Sequence, residues 1–342
     1  MHGGKGVKAW QITAQTGPDG LRLNEIVEPK PARGEVLVRV RANSLNYRDL
    51  MVADGRYGRA ELPLMPLSDG AGEITAVGDG VARWKIGDRV AGTFFAGWQN
   101  GPFRREVLAT ARGGALPGML AEYVALAEEG VVAMPPHMTF EEAATLPCAG
   151  LTAWQALVTH GKVSADQTVL VLGTGGVSMF AVQFAKMHGA RVIITSSSEQ
   201  KLERAKALGA DDVLNYRTTP DWDAEVFRVT GKAGADHVIE VGGTDTFAKS
   251  LRAVAVGGTV SVIGGVSGFD SAAPLVEILS KMSLIRGIFV GSHAMFEAMN
   301  RALARAQTKP VVDRVFPFAD APAAYRYQIS GAHFGKVVIS HG

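Results

Sequence analysis

The chain has 342 residues, 47% of them hydrophobic and 20% charged, with a formal net charge of +2. That length exceeds one ordinary core, so two domains are expected, and a near-neutral balance without a Lys/Arg run speaks against nucleic acid or an anionic membrane as partner. The single cysteine, Cys148, excludes an intramolecular disulfide and any multi-cysteine zinc module.

No apolar run reaches the length of a membrane span, and Met1-His2-Gly3-Gly4-Lys5-Gly6 lacks the apolar region of a secretory leader, so a cytoplasmic protein is expected. Residues 7–12, 21–25 and 36–42 read as strands, and the third alternates apolar with basic residues as a half-buried strand does. Asn43-Ser44-Leu45-Asn46-Tyr47-Arg48-Asp49 is a polar stretch opening a short helix. Short strands punctuated by glycine turns continue through Ser68-Asp69-Gly70-Ala71-Gly72 and Gly87-Asp88-Arg89-Val90, which points to a small antiparallel barrel. Periodicity stops between Gly92 and Pro117, where the aromatic-rich Phe94-Phe95-Ala96-Gly97-Trp98 reads either as a pocket-lining loop or as a packed surface loop. Residues 121–124 resume a strand, and 140–147 form a short helix leading to Cys148.

From Thr168 the rhythm changes. Val169 to Leu172 is an all-apolar strand that breaks at Gly173-Thr174-Gly175-Gly176 into a segment with Val177, Phe180, Ala181 and Phe184 at helical spacing. Gly173 and Gly175 suit a tight turn that a pyrophosphate can approach, and the free N–H groups of the new helix favour anionic oxygens. Ser178 stands where the Gly-x-Gly-x-x-Gly fingerprint has its third glycine, while a second strand at 192–194 completes a βαβ unit. That strand ends in Thr195-Ser196-Ser197-Ser198 with Lys201 beyond, and has no Asp or Glu at its tip to repel a 2′-phosphate, so NADP(H) is predicted over NAD(H). The serines could also cap the helix beginning near Glu199. Further apolar strands at 212–215, 237–241, 259–263 and 284–289 predict a parallel sheet covered on both faces, with Gly242-Gly243 and Gly264-Gly265 at strand ends where ligands gather. A helix from Ala294 and a last strand at 335–339 complete the chain and are expected to return to the first domain.

The segments Asn46-Tyr47-Arg48-Asp49, Gly70-Ala71-Gly72-Glu73, Lys85-Ile86-Gly87-Asp88-Arg89-Val90 and Leu146-Pro147-Cys148-Ala149-Gly150, with the Gly-Thr-Gly-Gly-Val-Ser turn, resemble the medium-chain dehydrogenase/reductase superfamily over nearly the whole chain. The resemblance implies an α/β protein: a GroES-like antiparallel β-barrel catalytic domain over 1–149, a Rossmann doubly wound parallel-sheet NADP-binding domain over 150–290, and a return of 291–342 to the catalytic domain. It also implies hydride transfer between a nicotinamide and a carbonyl, an alcohol or an activated double bond.

Zinc-using members place a Cys where this chain has Asn46, and His and Glu where it has Ser68 and Asp69; only Cys148 falls at a ligand position. Catalytic zinc wants three protein ligands of thiolate, imidazole or carboxylate type, so no metal is expected and Cys148 reads as a small buried hydrophobe. The chain looks most like the zinc-free quinone oxidoreductase branch, whose substrates would be quinones or alkenes conjugated to a carbonyl. On that resemblance Asn46 and Tyr47 are the candidate donors to the resulting oxyanion, with Asp49 orienting their helix; turn and cap chemistry is the plainer reading of all three. By position, Gly175, Gly176, Val177 and Ser178 would cradle the pyrophosphate, Ser197, Lys201 and Tyr216 would surround the 2′-phosphate, and Gly242, Ile263, Val290 and Lys336 would lie near the nicotinamide half. The apolar strand at 285–290 could pair with a twin in a homodimer. The alternatives are an alcohol or aldehyde dehydrogenase, without metal or with one held by Cys148 and Asp69, and a non-catalytic NADPH-binding protein.

Overall fold

Runs of β-branched and aliphatic residues buried on both faces dictate a parallel sheet between Thr152 and Val290. In the computed structural model, which describes residues 6–58 and 60–342, six parallel strands stand in the order Asp212–Asn215, Arg191–Ser196, Thr168–Leu172, Ala235–Glu240, Val254–Val262 and Leu284–Gly287. Strand order reverses between Thr168–Leu172 and Ala235–Glu240, so a crevice for ligand opens at their carboxyl ends. Leu170, Ile193, Val238 and Val260 from four strands pack with Trp222, Val226 and Leu251 from the covering helices.

Residues Thr152–Val290 form one compact unit; the other is Met1–Leu151 with Gly291–Gly342. In this second unit Gly6–Ile12 pairs with Leu21–Val27, and a larger sheet runs Val312–Pro317, Lys336–Ser340, Glu35–Ser44, Asp69–Val77, Arg89–Gly92 and Val131–Ala133, with Tyr123–Ala127 also on Glu35–Ser44. All its pairings are antiparallel except that of Val312–Pro317 with Lys336–Ser340. Val36, Val38 and Val40 meet Ile74, Val90, Val124 and Val131 in a barrel core. This is the GroES-like and Rossmann-type α/β architecture that the resemblance implies.

Glu35–Ser44 is the strand that positions the site. Its first half buries Val36, Leu37 and Val38 and exposes Arg39, and at its end Ala42, Asn43 and Ser44 are all buried. Asn43 is tolerated there because its Nδ2 donates to the carbonyls of Asp69 at 3.0 Å and Met119 at 2.9 Å, which satisfies a polar group out of water. Ser44 pairs with Asp69 on one side and Val338 on the other. The ends of three adjacent strands therefore bring Asn46, Asp69 and Lys336 together.

Two details differ from the sequence expectation, and at a third the packed of its two readings holds. The tail holds a strand, Val312–Pro317, and a helix, Ala321–Ile329, beyond the expected helix (His293–Ala306) and last strand. The helical run starting at Phe140 continues past Cys148 through wide π turns at Leu146–Gly150 and Gln155–His160. The aromatic segment is packed on itself: Phe94, Phe95 and Trp98 are buried, and edge-to-face ring pairs link Phe94 to Phe95 at 4.6 Å and Trp98 to Phe103 at 5.0 Å. Aromatic quadrupoles favour that geometry, which periodicity does not register. No helix among the described residues is long and apolar enough to cross a membrane, and the leader reading rests mainly on residues 1–5, outside the described residues.

Candidate active site

The glycine turn of the parallel-sheet unit leads into a 12-residue helix, Gly176–Met187, with Gly175 as N-cap. No side chain caps that helix and its first turn carries no acidic residue, so the leading N–H groups keep their hydrogen-bonding capacity for an anion. Gly173 has φ +67°, a conformation that favours glycine, and a Cβ built on either Gly173 or Gly175 would meet nothing within 4 Å. That open space above free amides fits the pyrophosphate of a dinucleotide. Gly176 and Val177 offer amides at the helix start, whereas the buried Ser178 hydroxyl turns back to donate to Leu172 O at 2.7 Å, which leaves only its backbone to face a ligand.

At the end of Arg191–Ser196, two of the serines have structural work. Ser196 Oγ accepts from Ser198 N at 3.3 Å, and Ser198 Oγ accepts from Lys201 N at 3.4 Å as N-cap of Glu199–Ala207. Ser197 is half-buried, and Tyr216, 42% exposed, is fixed by its own N–H to Ser196 O at 3.1 Å. The structure thus gathers Ser197, the helix bearing Lys201, and Tyr216 at the ends of two adjacent strands. It also brings in Glu199, whose carboxylate accepts from Asn215 Nδ2.

Gly242 and Ile263 follow adjacent strands, so both lie at the carboxyl edge. Val290 follows the sixth strand, buried and at φ +55°, a strained conformation for a β-branched residue of the sort found at functional sites. Sequence reasoning missed the organiser of this edge, Glu240. Its buried carboxylate accepts from Gly242 N at 2.7 Å, Gly243 N at 3.0 Å, Thr246 Oγ1 at 2.6 Å and Ser250 Oγ. A lone Glu closing an apolar strand was the available signal.

Lys336, grouped by position with the nicotinamide contacts, belongs to the barrel unit. Its side chain is buried, and Nζ donates to Leu45 O and, at 2.6 Å, to Asn46 Oδ1. Around it Asp69 Oδ1 accepts from Ser68 Oγ at 2.7 Å, and Asp69 Oδ2 accepts from Cys148 N at 3.3 Å. Asn46 N donates to Asp49 Oδ2 at 2.8 Å, so Asp49 does fix the start of Tyr47–Ala53. Arg48 Nη1 reaches Asp49 Oδ1 at 3.2 Å and Arg112 O at 2.8 Å, while the guanidinium lies over the rings of Tyr57 and Phe94. Tyr47, half-buried, packs beside the core formed by Trp10, Leu45, Leu50 and Tyr325.

Two cations, Arg48 and Lys336, thus share buried space with two carboxylates, Asp49 and Asp69, and compensate their charge. Burial pushes the Asp69 carboxyl up to about 6, against the pull of Lys336, and raises Asp49 against that of Arg48. The Lys336 ammonium is lowered by the same desolvation, and burial pushes the Cys148 thiol up.

Zinc does not fit this donor set. Asp69 and Cys148 are two candidates where three thiolate, imidazole or carboxylate ligands are wanted, and the Lys336 ammonium already lies in their field. Among the described residues no three of His, Cys, Asp or Glu converge on a point that could hold a metal ion.

Residues 32–136 match the family described as alcohol dehydrogenase GroES-like domain, and residues 176–305 the family described as zinc-binding dehydrogenase. A zinc-type alcohol dehydrogenase-like protein of Schizosaccharomyces pombe is 44% identical over 95% of this chain and 96% of its own length. A quinone oxidoreductase of Pseudomonas aeruginosa is 31% identical over 97% of this chain and 99% of its own. A solved NAD-dependent alcohol dehydrogenase superposes with a TM-score of 0.90 at 36% identity, over 98% of this chain and 100% of its own.

Proposed function

The chain belongs to the medium-chain dehydrogenase/reductase superfamily, as an oxidoreductase that binds a nicotinamide coenzyme, and from that premise we propose that it reduces quinones or alkenes conjugated to a carbonyl, without zinc, using NADPH. The observation that carries the reading is the Lys336–Asn46 pair buried where the zinc-using pattern has its first metal ligand.

The turn at Gly173–Gly175 and the amides of Gly176, Val177 and Ser178 would hold the pyrophosphate, and Ser197, Lys201 and Tyr216 the 2′-phosphate. Gly242, Ile263 and Val290 would flank the nicotinamide half. The bound nucleotide supplies hydride. Hydride addition to a quinone or enone leaves negative charge on the carbonyl oxygen, and the work of this chain is to stabilise that oxygen and protonate the product. Asn46 Nδ2 and the Tyr47 hydroxyl are the donors, with Tyr47 able to give its proton. Conjugated electrophiles suit such a site because their oxyanions are delocalised and need no Lewis acid. NADPH preference rests on Ser197 and Lys201; Glu199 and the NAD-dependent neighbour are the observations that weigh the other way.

Coenzyme oxidation followed at 340 nm tests both points, with chelator-treated protein given NADPH or NADH against a quinone, an enone and an aldehyde. The expected result is NADPH consumption with the first two. Turnover of the aldehyde alone, restored only by added zinc, would replace this reading with a metal-dependent alcohol dehydrogenase.

The protein is proposed to act on small molecules as a homodimer. Leu284–Gly287 is the edge of the six-stranded sheet, and Leu275, Val276, Leu279 and Met282, just before it, are all exposed, Leu279 by 76%. An apolar edge of this kind is a pairing template, and a second copy covers it by symmetry. Leu279→Glu is expected to halve the mass in sedimentation at micromolar concentration; a wild-type monomer would remove the proposal.

A further inference from the structure

We propose that Lys336 is a positioning residue for the oxyanion site: it holds the Asn46 carboxamide by its oxygen, so that Nδ2 is the edge presented to a developing negative charge. The inference rests on the reading of Asn46 as an oxyanion donor and extends it to the group that sets the donor's orientation.

An ammonium has only donors, so a contact of 2.6 Å from Lys336 Nζ must be to an amide oxygen, and this settles which way the Asn46 side chain points. The second bond of Nζ, to Leu45 O, ties the ammonium to the backbone directly before Asn46, and Asn46 N is tied to Asp49 Oδ2. Both ends of the residue are fixed. Asn46 is 7% exposed and Lys336 2%, and Asn46 Nδ2 makes no hydrogen bond of good geometry; one of its two N–H groups lies toward the Asp69 carboxylate, whose proton affinity it lowers, and the other is left for a ligand. A buried amide N–H left unpaired costs free energy unless a ligand atom meets it. The most economical ligand atom is an oxygen carrying negative charge. Lys336 adds to the same effect by withdrawing electron density from the amide oxygen, which makes its N–H groups stronger donors.

The test uses a phenolate as a stable oxyanion. 4-Nitrophenol is titrated into the wild-type enzyme saturated with oxidised coenzyme, and the bound phenolate is read near 400 nm for wild type, Lys336→Met, Asn46→Ala and the double variant. Each single variant is expected to weaken phenolate binding roughly 10- to 100-fold, the worth of one charge-assisted hydrogen bond, and the double variant no further, since both remove the same donor. Coenzyme affinity is expected to stay unchanged. Multiplying losses in the double variant, unchanged binding in Lys336→Met, or no phenolate bound by wild type would each overturn the proposal. Should Lys336→Met fail to fold, Lys336→Gln retains an N–H for Asn46 Oδ1 and is expected to keep binding within about 10-fold; a loss as complete as in Asn46→Ala would overturn it equally. Phenolate binding lost as expected in a protein that reduces neither quinone nor enone would leave this proposal standing and remove the proposed function instead.

Discussion

Gly175→Asp is expected to abolish useful coenzyme binding while leaving the fold slightly more stable. Gly175 has φ −79° and ψ −172°, which any residue adopts, and a Cβ there meets nothing within 4 Å, so the substitution introduces no clash. Aspartate is a preferred N-cap and its charge is favourable at a helix N-terminus, worth about 0.5 kcal/mol over glycine. The same carboxylate takes the amides that would bind pyrophosphate and repels it. Loss of two charge-assisted hydrogen bonds corresponds to roughly 10²- to 10³-fold weaker binding. Quenching of protein fluorescence on titration with NADPH and NADH gives the affinity, and thermal unfolding gives the stability. Opposite signs for the two are the expected signature, and unchanged affinity would mean that the phosphates bind elsewhere.

The second large effect is on stability. Arg48→Met should cost about 3–5 kcal/mol, because Asp49 stays buried and loses the cation that compensates it. Methionine fills much of the space over Tyr57 and Phe94, so lost volume is a minor contribution. The pH dependence separates charge from packing. Asp49 already has a carboxyl raised by burial and lowered chiefly by Arg48; without Arg48 its folded-state pKa rises further above the unfolded value. A carboxyl raised in this way is neutral, and tolerated, at low pH, and its burial becomes costly as pH rises through the folded pKa. The deficit of the variant against wild type, measured by urea unfolding, should therefore narrow from pH 8 to pH 5. Arg48→Met with Asp49→Asn should recover more than half of it. A deficit flat with pH and unrelieved by Asn would assign the loss to packing.

The glycine turn and the helix it opens were largely legible beforehand. Gly173, Gly175 and the strands on either side are adjacent in sequence, so turn, helix start and dipole follow from local patterns alone. Ser178 shows the limit: its place in the fingerprint was visible, but its hydroxyl bonding back to Leu172 O depends on how the helix sits on its own strand. Glu240 was passed over because a single carboxylate at a strand end has no period, and its four partners are gathered only by the loop it folds.

The sequence by itself determined the two folds and the alternation of strand and helix around the glycine turn, since each depends on residue type at short spacing. Only the tertiary structure decided what Lys336 does. It stands 290 residues from Asn46, and the two meet because antiparallel pairing of Lys336–Ser340 with Glu35–Ser44 sets Val338 opposite Ser44. Strand register is a long-range outcome of packing, and a slip of one residue would turn the lysine to the other face. The same register folds a cation, two carboxylates and an amide into one buried cluster, in which burial moves their proton affinities.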